Sequence, residues 1–125
     1  MQRFGSLILL FVLAGSAQAE GFDHLLQTAN QIVRLSEEMV YHGSEGHLHE
    51  IIDNGAKMIK AIDRLAGDLK SLKLPHQKAL QNSIRATRDK TEAAIRLGKR
   101  GDLSASLASA KSASFHAKKV REALR

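Results

Sequence analysis

The chain has no cysteine and no tryptophan, a single proline (Pro75), one tyrosine and four phenylalanines in 125 residues. Each shortage removes a class of protein. Without cysteine there is no disulfide, no thiolate for soft metals, no covalent haem attachment and no lipidated lipoprotein cysteine. Scarce aromatics alongside abundant Ala, Leu, Lys, Arg and Glu disfavour a β-sandwich or barrel and favour an all-helical chain. The recognisable catalytic signatures are missing as well. There is no His-Glu-x-x-His, no Gly-x-Ser-x-Gly and no thiol nucleophile. The chain therefore reads as a binding protein and not as an enzyme.

The first segment that is present is a leader. Arg3 supplies a short positive region, Leu7 to Ala14 an apolar one, and Ala17-Gln18-Ala19 a small-x-small cleavage motif. The apolar run is too short for a comfortable membrane span. Residues 1–19 are expected to be a signal peptide directing export to a bacterial periplasm, with no stable membrane insertion after cleavage. Removing 19 of the 125 residues leaves 106, enough for one domain with a modest core, residues 20–125.

Charge is unevenly placed. From Glu20 to Ala56 seven acids face one base, a balance of −6; from Lys57 to Arg125 six acids face seventeen bases, a balance of +11. Four of the six histidines lie in the acidic part. Local negative charge favours a cation site there, whereas the basic remainder suits solvated helix faces or a polyanion.

Apolar residues recur at three-four spacing in four segments. The first is Phe22, Leu25, Leu26, Ala29, Ile32, Val33, Ser36, Val40 and Gly43, predicting a helix over about 22–42. The second runs Leu48, Ile51, Ile52, Gly55, Met58, Ile59, Ile62, Leu65, Ala66, Leu69 and Leu72. Gly43 suits the residue after a helix end and Ser44 a cap for the next helix. Pro75 suits the first turn of a third helix, to about Leu97, with Leu80, Ile84, Thr87, Thr91, Ala94, Ile95 and Gly98 inward. Asp102 caps a fourth, bearing Leu103, Leu107, Ala110, Ala113, Ser114, Ala117, Val120 and Leu124. Short connections make neighbours antiparallel, so the expected fold is an all-α, up-down-up-down four-helix bundle of two hairpins. The hairpins align at an offset of 55, pairing Gly43 with Gly98, Gly46 with Gly101 and Leu48 with Leu103. The histidines do not repeat: His42, His47 and His49 fall opposite Leu97, Asp102 and Ser104.

The first hairpin turn holds the chemistry. Between Glu37 and Asp53 lie three histidines and five carboxylates around two glycines. Imidazole with carboxylate is a donor set for Cu²⁺, Ni²⁺ and Zn²⁺, with Cu²⁺ bound most tightly in general. Glu38 and His42 are four apart and share a helix face, as do His49 and Asp53. The leading ligands are thus His42, His49 and Glu38, with His47, Glu45 and Asp53 as variable partners. His47 and His49 are two apart and point to opposite sides of a regular helix, so both reach one ion only if the first turn is irregular. His24, His76 and His116 are read as scattered surface histidines, and Met39 and Met58 as core.

The run Glu37-Glu38-Met39-Val40-Tyr41-His42-Gly43-Ser44-Glu45-Gly46-His47 and the amphipathic helix after it resemble the small metal-binding protein family of bacterial periplasms. The likeness is specific over about residues 34–60 and architectural elsewhere. It implies a histidine-rich four-helix bundle that binds divalent transition metals reversibly, copper foremost, in metal buffering or tolerance. This chain departs from that family in having fewer histidines and a basic second hairpin without them. A rival reading of a different class is a basic helical module for anionic envelope components. Nucleic acid is not an expected partner, because aromatics interleaved for base stacking are absent.

Overall fold

The computed structural model describes the backbone of residues 2–75 and 77–125, and side chains from Gly21 onward except His76. The described residues form four helices: α1 (Gln2–Ser44), α2 (Leu48–Lys70), α3 (Gln77–Lys99) and α4 (Leu103–Ala123). They form a four-helix bundle in which α1 packs on α2 and α4, α3 packs on α2 and α4, and the diagonal pair α2 and α4 barely touch. Facing residues run in opposite chain order. Gly21 lies beside Leu72 while Gly43 lies beside Ile51, and Gly55 lies beside Ile95 while Gly98 lies beside Ile52.

The helical stripes are the core. Leu25, Ile32, Met39, Ile51, Met58, Ile62, Leu65 and Leu69 are all at most 2% exposed. The second hairpin contributes smaller groups: Thr87, Thr91, Ala94, Ser106, Ala110, Ala113 and Ala117 are likewise buried. Their hydroxyls need partners once removed from water. Thr87 donates to Ser83 O and Thr91 to Thr87 O within α3, both at 2.7 Å, and Ser106 Oγ reaches across to Ala94 O at 2.8 Å. Small side chains bring α3 and α4 close, and the hydroxyls return their hydrogen bonds to the backbone.

Three boundaries differ from the expected ones. α1 does not begin near residue 22 but continues from Gln2, since no proline interrupts the leader and its Leu and Ala residues are good helix formers. The signal-peptide reading itself lies outside the described side chains. Pro75 precedes α3 instead of entering it, and Gln77 Nε2 donates to Leu69 O at 3.2 Å, satisfying a carbonyl at the α2 end. Ser44 belongs to α1, where its Oγ donates to Val40 O at 2.8 Å, so His47 and not Ser44 occupies the cap position of α2.

The helix-end glycine is Gly46, not Gly43. Gly46 has φ +84°, its N–H donates to Gly43 O at 3.0 Å, and the His47 N–H donates to His42 O at 2.9 Å. That pair of bonds is a Schellman motif, which needs a residue free to adopt the left-handed conformation. The turn between α3 and α4 repeats it: Gly101 has φ +81°, its N–H donates to Gly98 O at 2.9 Å, and the Asp102 N–H to Leu97 O at 3.0 Å. Gly43 and Gly98 instead permit close helix contact. A Cβ on Gly43 would stand 2.7 Å from Ile51 Cδ1 and 2.9 Å from Leu107 Cδ1; on Gly98, 3.0 Å from Ile52 Cγ1 and 3.4 Å from Ser106 Oγ. Shifted by 55, Ile51 becomes Ser106 and Ile52 becomes Leu107, so the two hairpins meet through equivalent positions.

Candidate metal centre

The Schellman turn decides which histidines meet. Its longer hydrogen bond joins the backbones of residues 42 and 47, and a pair of apolar side chains commonly sits across that bond. Here the pair is two imidazoles. The rings of His42 and His47 have centroids 5.9 Å apart and planes tilted by 34°. In the second turn the same two positions hold Leu97 and Asp102.

His42 also faces Glu38 one helical turn earlier, with Nε2 3.4 Å from Glu38 Oε2. Its Nδ1 is buried without a hydrogen-bond partner, and the Tyr41 ring stands edge-on to it at 5.3 Å. An orphaned buried polar nitrogen costs about 1–3 kcal/mol. Turning the ring onto a cation recovers part of that cost. His42 lies in the last turn of α1, where the partial negative charge of the helix end favours a cation. Glu37, Glu38, Tyr41, His42 and Arg34 line a shallow depression beside it.

Of the six expected ligands the structure brings His42 beside Glu38 and, separately, beside His47, as two pairs sharing one imidazole. His47 is not on a helical turn but at the cap of α2, with φ −88° and ψ 80° and no side-chain capping bond, so its imidazole is uncommitted. The first turn of α2 is regular from Leu48 onward, so His47 and His49 do not reach one point together; His47 approaches His42 because it precedes the helix. His49 points elsewhere: its side chain is 74% exposed and its Nε2 lies 3.4 Å from Glu50 Oε1. Glu45 and Asp53 are exposed, and among the described residues neither joins an ion pair. Among the described residues, no three His, Asp or Glu side chains yet converge on a single point. Side-chain rotation is needed to close a coordination sphere around an ion.

One contact escaped the sequence reading. His24 Nε2 lies 3.2 Å from Asp68 Oδ2, tying the α1 segment near Gly21 to the end of α2. The oxygen is buried, and the contact is an ion-pair distance without hydrogen-bond geometry. No local pattern pairs residues 44 apart; only the antiparallel register of α1 and α2 brings them together. His116 lies beside Phe115, edge-on at 5.4 Å, and His76 lies outside the described residues.

Fold and turn together define a four-helix bundle with His42 beside Glu38 and His47 at one hairpin turn. Comparison of the chain with known protein families, curated proteins and solved structures returns no match. Among the described residues no helix is long and apolar enough to cross a membrane.

Proposed function

We propose that this protein binds divalent transition-metal ions reversibly, Cu²⁺ before Ni²⁺ or Zn²⁺, and serves as a metal buffer after export to the periplasm. The supporting observation is the grouping of His42, Glu38 and His47 at one hairpin turn. In this reading His42 is the anchoring ligand, Glu38 supplies an oxygen donor and compensating charge, and His47 completes the set from the cap of α2. His49, Glu45 and Asp53 are adaptable donors around it. The bundle positions these groups without depending on the ion, because the apolar stripes are buried independently of the turn. The protein is a binder with no catalytic role, and its cargo exchanges with solvent at an accessible turn.

Native mass spectrometry of the full chain with equimolar Cu²⁺, Ni²⁺ and Zn²⁺ in competition tests this reading. One dominant Cu²⁺ adduct, lost in His42→Ala and retained in His116→Ala, is the expected result. No adduct in the parent protein, or equal loss in both variants, rejects it. The exported chain is expected to begin at Glu20, which the intact mass of protein recovered from the periplasm checks.

A further inference from the structure

The metal reading uses α1 and α2 and leaves the outer side of α4 without a role. That side has an unusual composition. α4 carries Lys111, Lys118, Lys119 and Arg121 against one acid, Glu122. Its inner residues, Ser106, Ala110, Ala113, Ala117 and Val120, are buried. Ala108, Lys111, Phe115 and Lys119 follow one another at three-four spacing on the opposite side, all exposed. Phe115 is 58% exposed, one of only two large hydrophobic side chains so open among the described residues. The Lys119 ammonium lies 4.6 Å from the centroid of its ring, and Lys118 is held towards α1 by Glu37 at 3.8 Å.

We propose that the outward face of α4 docks on anionic phospholipid bilayers, with Phe115 entering the headgroup region and Lys111 and Lys119 meeting lipid phosphates. The occupant follows from the two properties together. A polyanion in solution needs the lysines and has no use for the ring. A neutral apolar partner needs the ring and not the lysines. A negatively charged membrane surface uses both, because it attracts basic side chains within about a Debye length and accepts an aromatic ring at the interface. Lysine stems lie along apolar surface while their ammonium groups reach phosphates, so the cation over the Phe115 ring suits this boundary. Glu37 of α1 stands 3.8 Å from Lys118, whereas Lys111 and Lys119 are in no ion pair among the described residues.

The absence of tryptophan makes the test direct. In the full chain, Phe115→Trp introduces the only indole, and its emission is followed on adding vesicles of phosphatidylcholine alone or mixed equally with phosphatidylglycerol. Phe115→Ser and the double variant Lys111→Gln/Lys119→Gln are compared by co-sedimentation. Lys57→Gln/Lys60→Gln, on the exposed side of the diagonal helix α2, serves as charge-matched control. Every variant is compared in the same chain, and the neutral-vesicle arm is read from the indole and not from sedimentation, so binding through the apolar segment 7–14 is not scored. The indole emission is expected to shift to the blue with the anionic vesicles only. Each lysine removed from α4 should lower partitioning about fivefold, and the control pair should lower it by clearly less. An unshifted indole in a protein that still co-sediments would place the contact on another face and overturn the proposal. So would an equal indole shift with neutral vesicles, an equal effect of the control pair, or binding to dextran sulfate that matches vesicle binding and is unaffected by Phe115→Ser. None of these outcomes depends on metal, so the two readings stand or fall separately.

Discussion

The imidazoles of His42 and His47 stand across a helix-terminating hydrogen bond, their centroids 5.9 Å apart and the two backbones joined by an N–H to carbonyl contact of 2.9 Å. Replacing either should therefore weaken Cu²⁺ binding more than replacing His49, whose side chain is 74% exposed and turned to Glu50. A direct ligand is worth at least the roughly ten- to hundredfold that outer partners contribute to metal affinity. Calorimetric titration of His42→Ala, His47→Ala and His49→Ala at pH 7 ranks them. A larger loss for His49→Ala would move the centre to the start of α2.

Metal affinity should fall steeply in mild acid. Imidazole ligates only as the neutral base, and free imidazole side chains titrate near pH 6.5. Where imidazole is neutral the metal-linked gain in stability is present. As pH drops, each ligand takes a proton that competes with the ion, and the gain disappears. Thermal melts with and without Cu²⁺ between pH 5 and 8 should differ at the upper end and converge at the lower. A constant difference across that range would assign binding to carboxylates alone.

The glycines make a stability series. Gly67 lies within α2 with nothing within 4 Å of an added Cβ, so Gly67→Ala should stabilise by about 0.8–1 kcal/mol through helix propensity. Gly46 has equal space but φ +84°, so Gly46→Ala should destabilise by about 1–2 kcal/mol. Urea unfolding monitored by circular dichroism checks both. Gly46→Ala should also weaken metal binding, because the turn it closes is what brings His47 to His42.

Much of this was legible in the sequence, and the reasons are physical. The stripe from Ile51 to Leu69 is buried as spaced, since a fixed helical period leaves one solution for which side faces inward. Asp102 caps α4 as expected, its carboxylate accepting the Ala105 N–H at 3.1 Å. What misled was the glycine pair. Either Gly43 or Gly46 can end a helix on local grounds; Gly46 takes the left-handed conformation, while Gly43 stays helical where Ile51 and Leu107 pack close. That shift moves the helix end and promotes His47 over His49 as the neighbour of His42. The spacing of five between histidines flanking a helix-end glycine was the signal that would have found the pair.

The matched turns allow a constructive test. Leu97→His with Asp102→His should place two imidazoles across the second turn as His42 and His47 are placed across the first. Loss of the Asp102 cap costs about 1 kcal/mol. Native mass spectrometry should then show a second Cu²⁺ equivalent. Failure to gain one would mean that the acidic surroundings of the first turn, and not the backbone, make it a site.

That correspondence bears on how such a chain can change over generations. One turn closes over a leucine and an aspartate and the other over two histidines, yet both close with the same hydrogen bonds. The chemistry displayed at each turn is thus free to drift without unmaking the bundle.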